Sequence, residues 1–277
     1  MRFGPAGIPI ECKEKNTKAG IMFTASLCLN AMEMEFVRGV SLTEKAALEA
    51  KKAALERDVL LSSHAPYYIN LCTKDSKKLE RSKRNILISA KRTAQAGGKI
   101  TVFHPGYYQG LEKEEAFQKA KKALVEIKES MDKEGVECML GAETVGKRSQ
   151  FGSLEENIRL GQEVEGVVPV VDFAHIQARG DMQLIKKEQF HALFERLEKV
   201  GFAKNFHSHF SEIEYSEKGE RNHLVLGTNY VPDYRELAKE LAEGGWKGTV
   251  ICESPLLEQD ALKLKSKYES EIKGGRK

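Results

Sequence analysis

Two histidines that could bind a metal ion, His207 and His209, are two residues apart in the stretch 206–211. In an extended chain, residues two apart point to the same side, so both imidazoles could face one cavity. The polar segment that follows adds Glu220 and His223. Imidazole and carboxylate groups together suit zinc, manganese or iron better than calcium. By itself the segment favours metal binding only slightly over surface histidines and a polar loop, because short motifs often match by chance.

Other histidines and carboxylates stand where predicted strands end. The residues at the ends of strands three to eight are His64, His104, Glu143, Asp172, His207 and Glu253, with His175 and His209 just beyond. Each has a structural alternative: Asp172 could cap a helix, and Glu143 and Glu253 could pair with nearby lysines. Only His191 of the seven histidines falls within a predicted helix. Such residues at six consecutive strand ends favour one shared metal centre.

Alternating strand and helix patterns position these residues. The apolar periodicity predicts strands at 2–7, 31–37, 58–63, 99–103, 136–142, 167–171, 203–206 and 248–252. It predicts helices at 17–29, 41–56, 76–95, 113–134, 154–163, 186–200, 234–243 and 257–272. Eight such units predict an α/β fold, a single-domain (β/α)₈ TIM barrel over 1–277 with a frayed basic tail at about 273–277. Active sites of such barrels lie at the C-terminal ends of the strands, whereas the alternative, a doubly wound sheet, would need a glycine-rich fingerprint that is missing.

Composition sets the remaining bounds. The chain has 277 residues, of which 41% are hydrophobic, and its 44 basic and 41 acidic residues give a formal net charge of +3. This balance does not demand a nucleic-acid partner, although a local basic patch would suffice for one. The five scattered cysteines, without a CxxC motif, indicate reduced thiols. With no signal peptide and no apolar run of ~18 residues, we expect a cytoplasmic monomer without a membrane partner.

The number of candidate ligands exceeds what one ion needs. A catalytic zinc has three protein ligands and a water, so the set fits two or three ions, with a carboxylate bridging two of them. Closely spaced ions stabilise both the attacking and the leaving oxygen of a phosphoryl displacement, and they lower the pKa of a bound water. Zinc, manganese and iron all suit these donors.

Several blocks of the sequence resemble the endonuclease IV family of abasic-site endonucleases. They are HAPYYINL at 64–71, FHPG at 103–106, ET at 143–144, DFAH at 172–175 and CESP at 252–255, together with His207. The resemblance implies a barrel with a trinuclear zinc site that cleaves DNA 5′ of an abasic site.

The resemblance also implies roles for individual residues. The first zinc would be bound by His64, His104 and Glu143. The second would share Glu143 and be completed by Asp172, His207 and Glu253. The third would be bound by His175 and His223, with Glu220 or His209 as a further donor. Catalysis would depend on Glu143 and on Glu253, which would orient or deprotonate the water, and DNA would contact Tyr67 and Asn70.

Two features depart from the family pattern. The family carries an Asp-x-His pair in the loop of the third zinc, whereas here Arg221 stands two residues before His223. The segment 36–40 lacks the polar DNA-probing loop of the family, which leaves Arg38 to do part of that work.

A different reaction class remains open. The set Glu143, Asp172, His207 and Glu253 also matches the single-metal site of xylose-isomerase-like sugar isomerases and epimerases, in which two carboxylates shuttle a proton at a sugar carbon. His64 and His104 favour the nuclease, and the missing DNA-probing loop favours the isomerase. The full ligand set argues against a third alternative, a barrel that binds metal and DNA without turnover.

Overall fold

Eight parallel strands form one sheet that curves into a barrel. The computed structural model describes residues 1–275. In chain order the strands are β1 (Arg2–Pro5), β2 (Ala31–Glu35), β3 (Leu60–His64), β4 (Ile100–Phe103), β5 (Gly106–Tyr107), β6 (Met139–Glu143), β7 (Gln150–Phe151), β8 (Val167–Asp172), β9 (Lys204–Phe210), β10 (Glu212–Ser216), β11 (Gly219–Leu224) and β12 (Lys247–Cys252). The barrel has the strand order β1-β12-β9-β8-β6-β4-β3-β2, and a parallel bridge between Ala6 and Glu33 joins its two ends. The predicted TIM barrel is therefore confirmed.

Helices surround the barrel. They are α1 (Thr17–Ser26), α2 (Glu44–Arg57), α3 (Ser76–Gln95), α4 (Lys113–Lys133), α5 (Leu154–Glu163), α6 (Phe173–Arg179), α7 (Lys187–Lys199), α8 (Tyr234–Glu243) and α9 (Glu258–Gly274). Local sequence fixes several of their starts. Asp75 accepts hydrogen bonds from the amides of Lys77 and Lys78 at the start of α3, and Ser153 and Glu156 form a capping box on α5. None of the helices in residues 1–275 combines the length and apolar character needed to cross a bilayer.

Alternation along each barrel strand separates the helix-packed core from the barrel interior. On β9, Phe206 packs against Phe194 with ring centroids 5.0 Å apart, and Phe210 packs against Phe173 at 5.9 Å. The histidines between them face the interior. Part of that interior is filled by a small apolar cluster of Ile100, Val102 and Val170. Polar side chains fill the end of the barrel at which the strands finish.

The structure changes some predicted boundaries. Strand β9 continues to Phe210, whereas the sequence pattern predicts its end at 206, because FHSHF alternates as a strand does. The helix α6, the antiparallel pair of β5 with β7 and the hairpin β10–β11 were not predicted. Helix α9 continues through Gly274, two residues into the stretch expected to fray, and residues 276–277 lie outside the described part of the chain.

Candidate metal centre

The carboxylate of Glu143, at the end of β6, is the centre of the polar cluster. It is fully buried. Its Oε2 lies 2.8 Å from His64 Nε2 and 2.9 Å from His104 Nε2. Its Oε1 lies 3.0 Å from His209 Nδ1 and 3.4 Å from His175 Nδ1. Each oxygen therefore faces a different pair of imidazoles, which is the arrangement of a carboxylate that bridges two ions.

Four groups of side chains have potential ligand atoms within 4.8 Å of one another, one of them Glu33, His207 and His209 and the other three around Glu143. The first is His64, His104 and Glu143. The second is Glu143, Asp172, His209 and Glu253. The third is Asp172, His175 and His223. Glu143 belongs to two groups, and so does Asp172.

Asp172 has two functions, one for each carboxylate oxygen. It ends β8 and caps α6, because its Oδ1 accepts a hydrogen bond of 2.6 Å from the amide of His175. Its Oδ2 is buried without a hydrogen-bond partner. Burial raises the pKa of Asp172, although His175 opposes the shift. A buried carboxylate oxygen that lacks a donor is costly unless a cation binds it, so this atom fits a metal site.

The hairpin β10–β11 covers the centre and contributes two donors. Glu220 Oε2 lies 3.2 Å from His175 Nε2, and Glu220 Oε1 lies 3.5 Å from Lys147 Nζ. His223 Nε2 lies 3.3 Å from His175 Nε2, and its Nδ1 lies 3.6 Å from Glu253 Oε2. Glu220 thus reaches the third group of donors, as the sequence suggested that it could.

Two separate contacts fix this hairpin. At its turn, Gly219 has a φ of 103°, and a Cβ there would lie 2.3 Å from the carbonyl oxygen of Gly146. Only glycine permits both the backbone conformation and this close approach. At its base, the buried carboxylate of Glu212 accepts hydrogen bonds from the amides of Gly227 and Thr228.

The structure brings His209, rather than His207, to the second group of donors. The pairing of β8 with β9 sets Asp172 opposite His209. His209 Nδ1 lies 3.0 Å from Glu143 Oε1 and 3.2 Å from Glu253 Oε1. His207 lies two residues further from the end of the strand, with its Nε2 3.0 Å from Glu33 Oε2. The sequence pattern assigned His207 to this group because it ended the strand too early.

Sequence reasoning missed Glu33 and Glu35, which both lie on β2. Glu33 is fully buried, with Oε1 2.9 Å from His209 Nε2. Part of Glu35 is exposed to solvent at the end of the strand, but loss of water around its carboxyl group raises its pKa to about 8, although His64 opposes the shift. The signal was the alternating sequence AMEME at 31–35, whose polar face points into the barrel rather than to bulk water.

Electrostatics at the centre favour bound cations. Burial opposes ionisation of Glu143, yet His104 and His209 hold its pKa well below its usual range. Burial also opposes the charged form of His209, but the carboxylates of Glu253 and Glu33 raise its pKa well above the usual value. In residues 1–275, Lys147 is the one lysine or arginine paired with a carboxylate of the cluster. Clustered imidazoles and carboxylates with so little fixed positive charge fit zinc, manganese or iron.

The residues expected to contact substrate differ in their surroundings. Tyr67 is exposed, and Arg38 is exposed on the loop after β2. Asn70 is buried, and its Oδ1 accepts hydrogen bonds from the amides of Cys72 at 3.0 Å and Tyr107 at 3.1 Å. Asn70 therefore joins the loops that follow β3 and β4.

A parallel eight-stranded barrel with these donors at the ends of its strands defines the class of the protein. The chain belongs to the xylose isomerase-like TIM barrel family, whose model matches residues 23–272. It is 38% identical over 269 residues to an uncharacterized protein of Methanocaldococcus jannaschii, covering 96% of each chain. It is 27% identical over 203 residues to a probable endonuclease 4 of Aquifex aeolicus, covering 70% of this chain and 69% of that protein. The fold is also similar to that of a D-tagatose 3-epimerase-like protein, with a TM-score of 0.76, 20% identity and full coverage of both chains.

Proposed function

We propose that the protein is a metal-dependent phosphodiesterase that cleaves DNA 5′ of abasic sites, as a step of base-excision repair, with two or three ions held at the ends of the barrel strands. The observation that carries this proposal is the two-sided environment of Glu143. His64 and His104 face one of its oxygens, while His209 and His175 face the other. A centre for one ion does not need both pairs.

The chain offers donors for each ion. One would be bound by His64, His104 and Glu143, one by Glu143, Asp172, His209 and Glu253, and one by Asp172, His175 and His223 with Glu220 beside them. Such ions supply Lewis-acid stabilisation of negative charge on phosphoryl oxygens and lower the pKa of water. Zinc fits the donors, and manganese and iron fit them too.

Glu253 is the residue that would take a proton from the attacking water. Its carboxylate lies at the end of β12, 3.2 Å from His209 Nδ1 and 3.6 Å from His223 Nδ1. Burial raises its pKa, although His209 opposes the shift. A carboxylate with a raised pKa is a better general base near neutral pH than a solvated one. Water would attack the phosphorus, and the bond from phosphorus to the 3′-oxygen would break.

Features around the centre support nucleic acid as the substrate. The relative from Aquifex aeolicus is named a probable endonuclease 4. Tyr67, Tyr68 and Tyr107 follow the barrel strands β3 and β4 and are exposed, and exposed aromatic rings offer stacking surfaces for unpaired bases. Arg81 lies over the Tyr68 ring, 4.9 Å from its centroid, which adds positive charge beside these rings.

A single-metal sugar epimerase is the second candidate. The group Glu143, Asp172, His209 and Glu253 could hold one ion by itself, and the fold is similar to that of a D-tagatose 3-epimerase-like protein. Two of these carboxylates would then exchange a proton with a sugar carbon.

Metal stoichiometry and two activity assays separate the candidates. Elemental mass spectrometry should find two or three ions per chain, and the loaded protein should cleave a duplex that carries a tetrahydrofuran abasic analogue. Glu253→Gln, whose amide oxygen can still contact an ion but cannot take a proton, should lose cleavage at least ~100-fold even when it is fully loaded with metal, as expected for loss of a general base. Glu137→Gln, which alters an exposed carboxylate, is the control. One ion per chain, an intact duplex and epimerisation of a ketohexose would establish the second candidate instead.

A further inference from the structure

We infer that Glu33 is a positioning residue that orients His209 toward the metal centre and fixes which of its ring nitrogens carries the proton. This inference rests on the metal centre proposed above. Glu33 comes from β2 and belongs to a separate group of potential donors with His207 and His209, but to none of the three groups around Glu143.

Both nitrogens of His209 face carboxylates. Its Nδ1 lies 3.0 Å from Glu143 Oε1 and 3.2 Å from Glu253 Oε1, in the second group of donors. A neutral imidazole that binds a metal through Nδ1 must carry its proton on Nε2. Here Nε2 lies 2.9 Å from Glu33 Oε1. Glu33 is therefore the acceptor available to the proton that His209 must keep.

The structure leaves this pair without competing partners. Neither His209 Nε2 nor Glu33 Oε1 has a hydrogen-bond partner in residues 1–275, and both atoms are buried. Their separation of 2.9 Å is that of a hydrogen bond, although the ring N–H is not aligned with the oxygen. A small rotation of the His209 ring would let the two atoms form a hydrogen bond, and loss of either atom would leave the other buried without a partner.

The other oxygen of Glu33 is held by two groups, so the carboxylate cannot turn away. Ser62 Oγ donates to Oε2 at 2.6 Å, and His207 Nε2 lies 3.0 Å from the same atom. Glu33, Ser62 and His207 are all buried. His207 therefore supports the carboxylate that orients His209.

Carboxylates that accept a hydrogen bond from a metal-binding histidine fix its ring and make it a more basic ligand. Removal of such a partner typically weakens metal binding by ~10–100-fold. We expect Glu33→Gln, which keeps the size of the side chain and removes its charge, to weaken one ion by this factor.

Glu35→Gln provides the matched comparison. Glu35 lies on the same strand and the same face, and it makes no hydrogen bond or ion pair with His209. Both variants replace a carboxyl group by an amide of the same size at neighbouring positions, and a comparison above pH 8, where Glu35 is ionised too, reports the contact with His209. Competition against a chelator gives the affinity, and the visible absorption of the cobalt-loaded proteins gives the ligand geometry.

The expected result is a shifted cobalt spectrum and at least ~10-fold weaker binding of one ion in Glu33→Gln than in Glu35→Gln. Equal affinities and identical spectra in the two variants would overturn the inference and leave the proposed function standing. If the wild-type protein binds fewer than two ions, the proposed metal centre itself is wrong.

If Glu33→Gln does not fold, a second variant tests the same inference. Ser62→Ala removes one hydrogen bond to Glu33 while leaving both carboxylates in place. We expect about fivefold weaker binding of the same ion, the effect of one hydrogen bond. Unchanged affinity in a folded Ser62→Ala protein would also overturn the inference.

Discussion

Replacing His209 and His207 one at a time tests the assignment on which the metal centre depends. The two histidines are two residues apart on β9 and both are buried. His209 Nδ1 faces Glu143 and Glu253, whereas His207 Nε2 faces Glu33. Glutamine at either position keeps a polar side chain that can donate to the same carboxylate.

The expected loss follows from membership of the donor groups. His209 belongs to the group with Glu143, Asp172 and Glu253 and to the group with Glu33 and His207, and the other two groups around Glu143 are complete without it. If the wild-type chain holds three ions, His209→Gln should hold two. His207 belongs only to the group with Glu33 and His209, outside the three around Glu143, so His207→Gln should hold three if the ions bind at those three groups.

Elemental mass spectrometry after dialysis against a weak chelator measures these numbers, and circular dichroism establishes that both variants are folded. Cleavage of the abasic-analogue duplex should fall sharply in His209→Gln and stay within a few-fold of wild type in His207→Gln. The reasoning is refuted if His207→Gln loses an ion while His209→Gln keeps all of them, because the register of β9 would then be wrong.

Two further predictions concern stability and pH. Arg179 is buried and donates to the carbonyls of Lys147 and Gln150. Arg179→Met should therefore lower the free energy of unfolding, measured in urea, by about 3 kcal/mol, whereas Arg148→Met, at an exposed position, should lower it by less than about 1 kcal/mol. Equal effects of the two substitutions would contradict a structural role of Arg179. Although burial opposes it, the Glu143 carboxylate raises the pKa of His64 to about 10 in the metal-free protein. Metal binding must displace this proton, so the apparent affinity for the metal ion should rise with pH through the range 7 to 10. Calorimetry in two buffers of different ionisation enthalpy should detect the proton release. A metal affinity that does not change above pH 7 would contradict the assignment of this proton to His64.

Strand ends were the most predictable part of the site. In a parallel barrel every strand finishes at the same edge, so a residue directly after a strand can be assigned to that edge from sequence. This places His64, His104, Glu143, Asp172 and Glu253 together, and the structure has them within one cluster. The strands themselves could be recognised because both faces of a strand in a parallel barrel are buried, which gives short runs of mostly apolar residues.

The choice between His207 and His209 could not be made in the same way. The stretch FHSHF alternates regularly, so either histidine can end the strand with its side chain facing inward. Only the pairing of Asp172 with His209 fixes how far along the barrel axis each imidazole ring lies. Register between strands depends on packing across the whole sheet, which local sequence does not contain.

Glu33 was missed for a different reason. A strand that alternates apolar and polar residues predicts one face in water, and Met32 and Met34 do pack on the outer side. In a closed barrel, however, the polar face lies in the interior, where a charge needs partners. The partners, Ser62 and His209, are distant in sequence.

The hairpin β10–β11 brings His223 to the third group of donors, and Glu220 beside it, without using the barrel strands. Its turn rests on Gly146 through Gly219, and its base is held by Glu212, so its fixation uses none of the residues that end the barrel strands. If the proposed ions bind, exchange of this short segment would change the third group, while the two groups built on the strands would persist. A graft of this hairpin onto a related barrel would carry Glu220 and His223 with it, and so would transfer part of the third group without any change in the barrel strands.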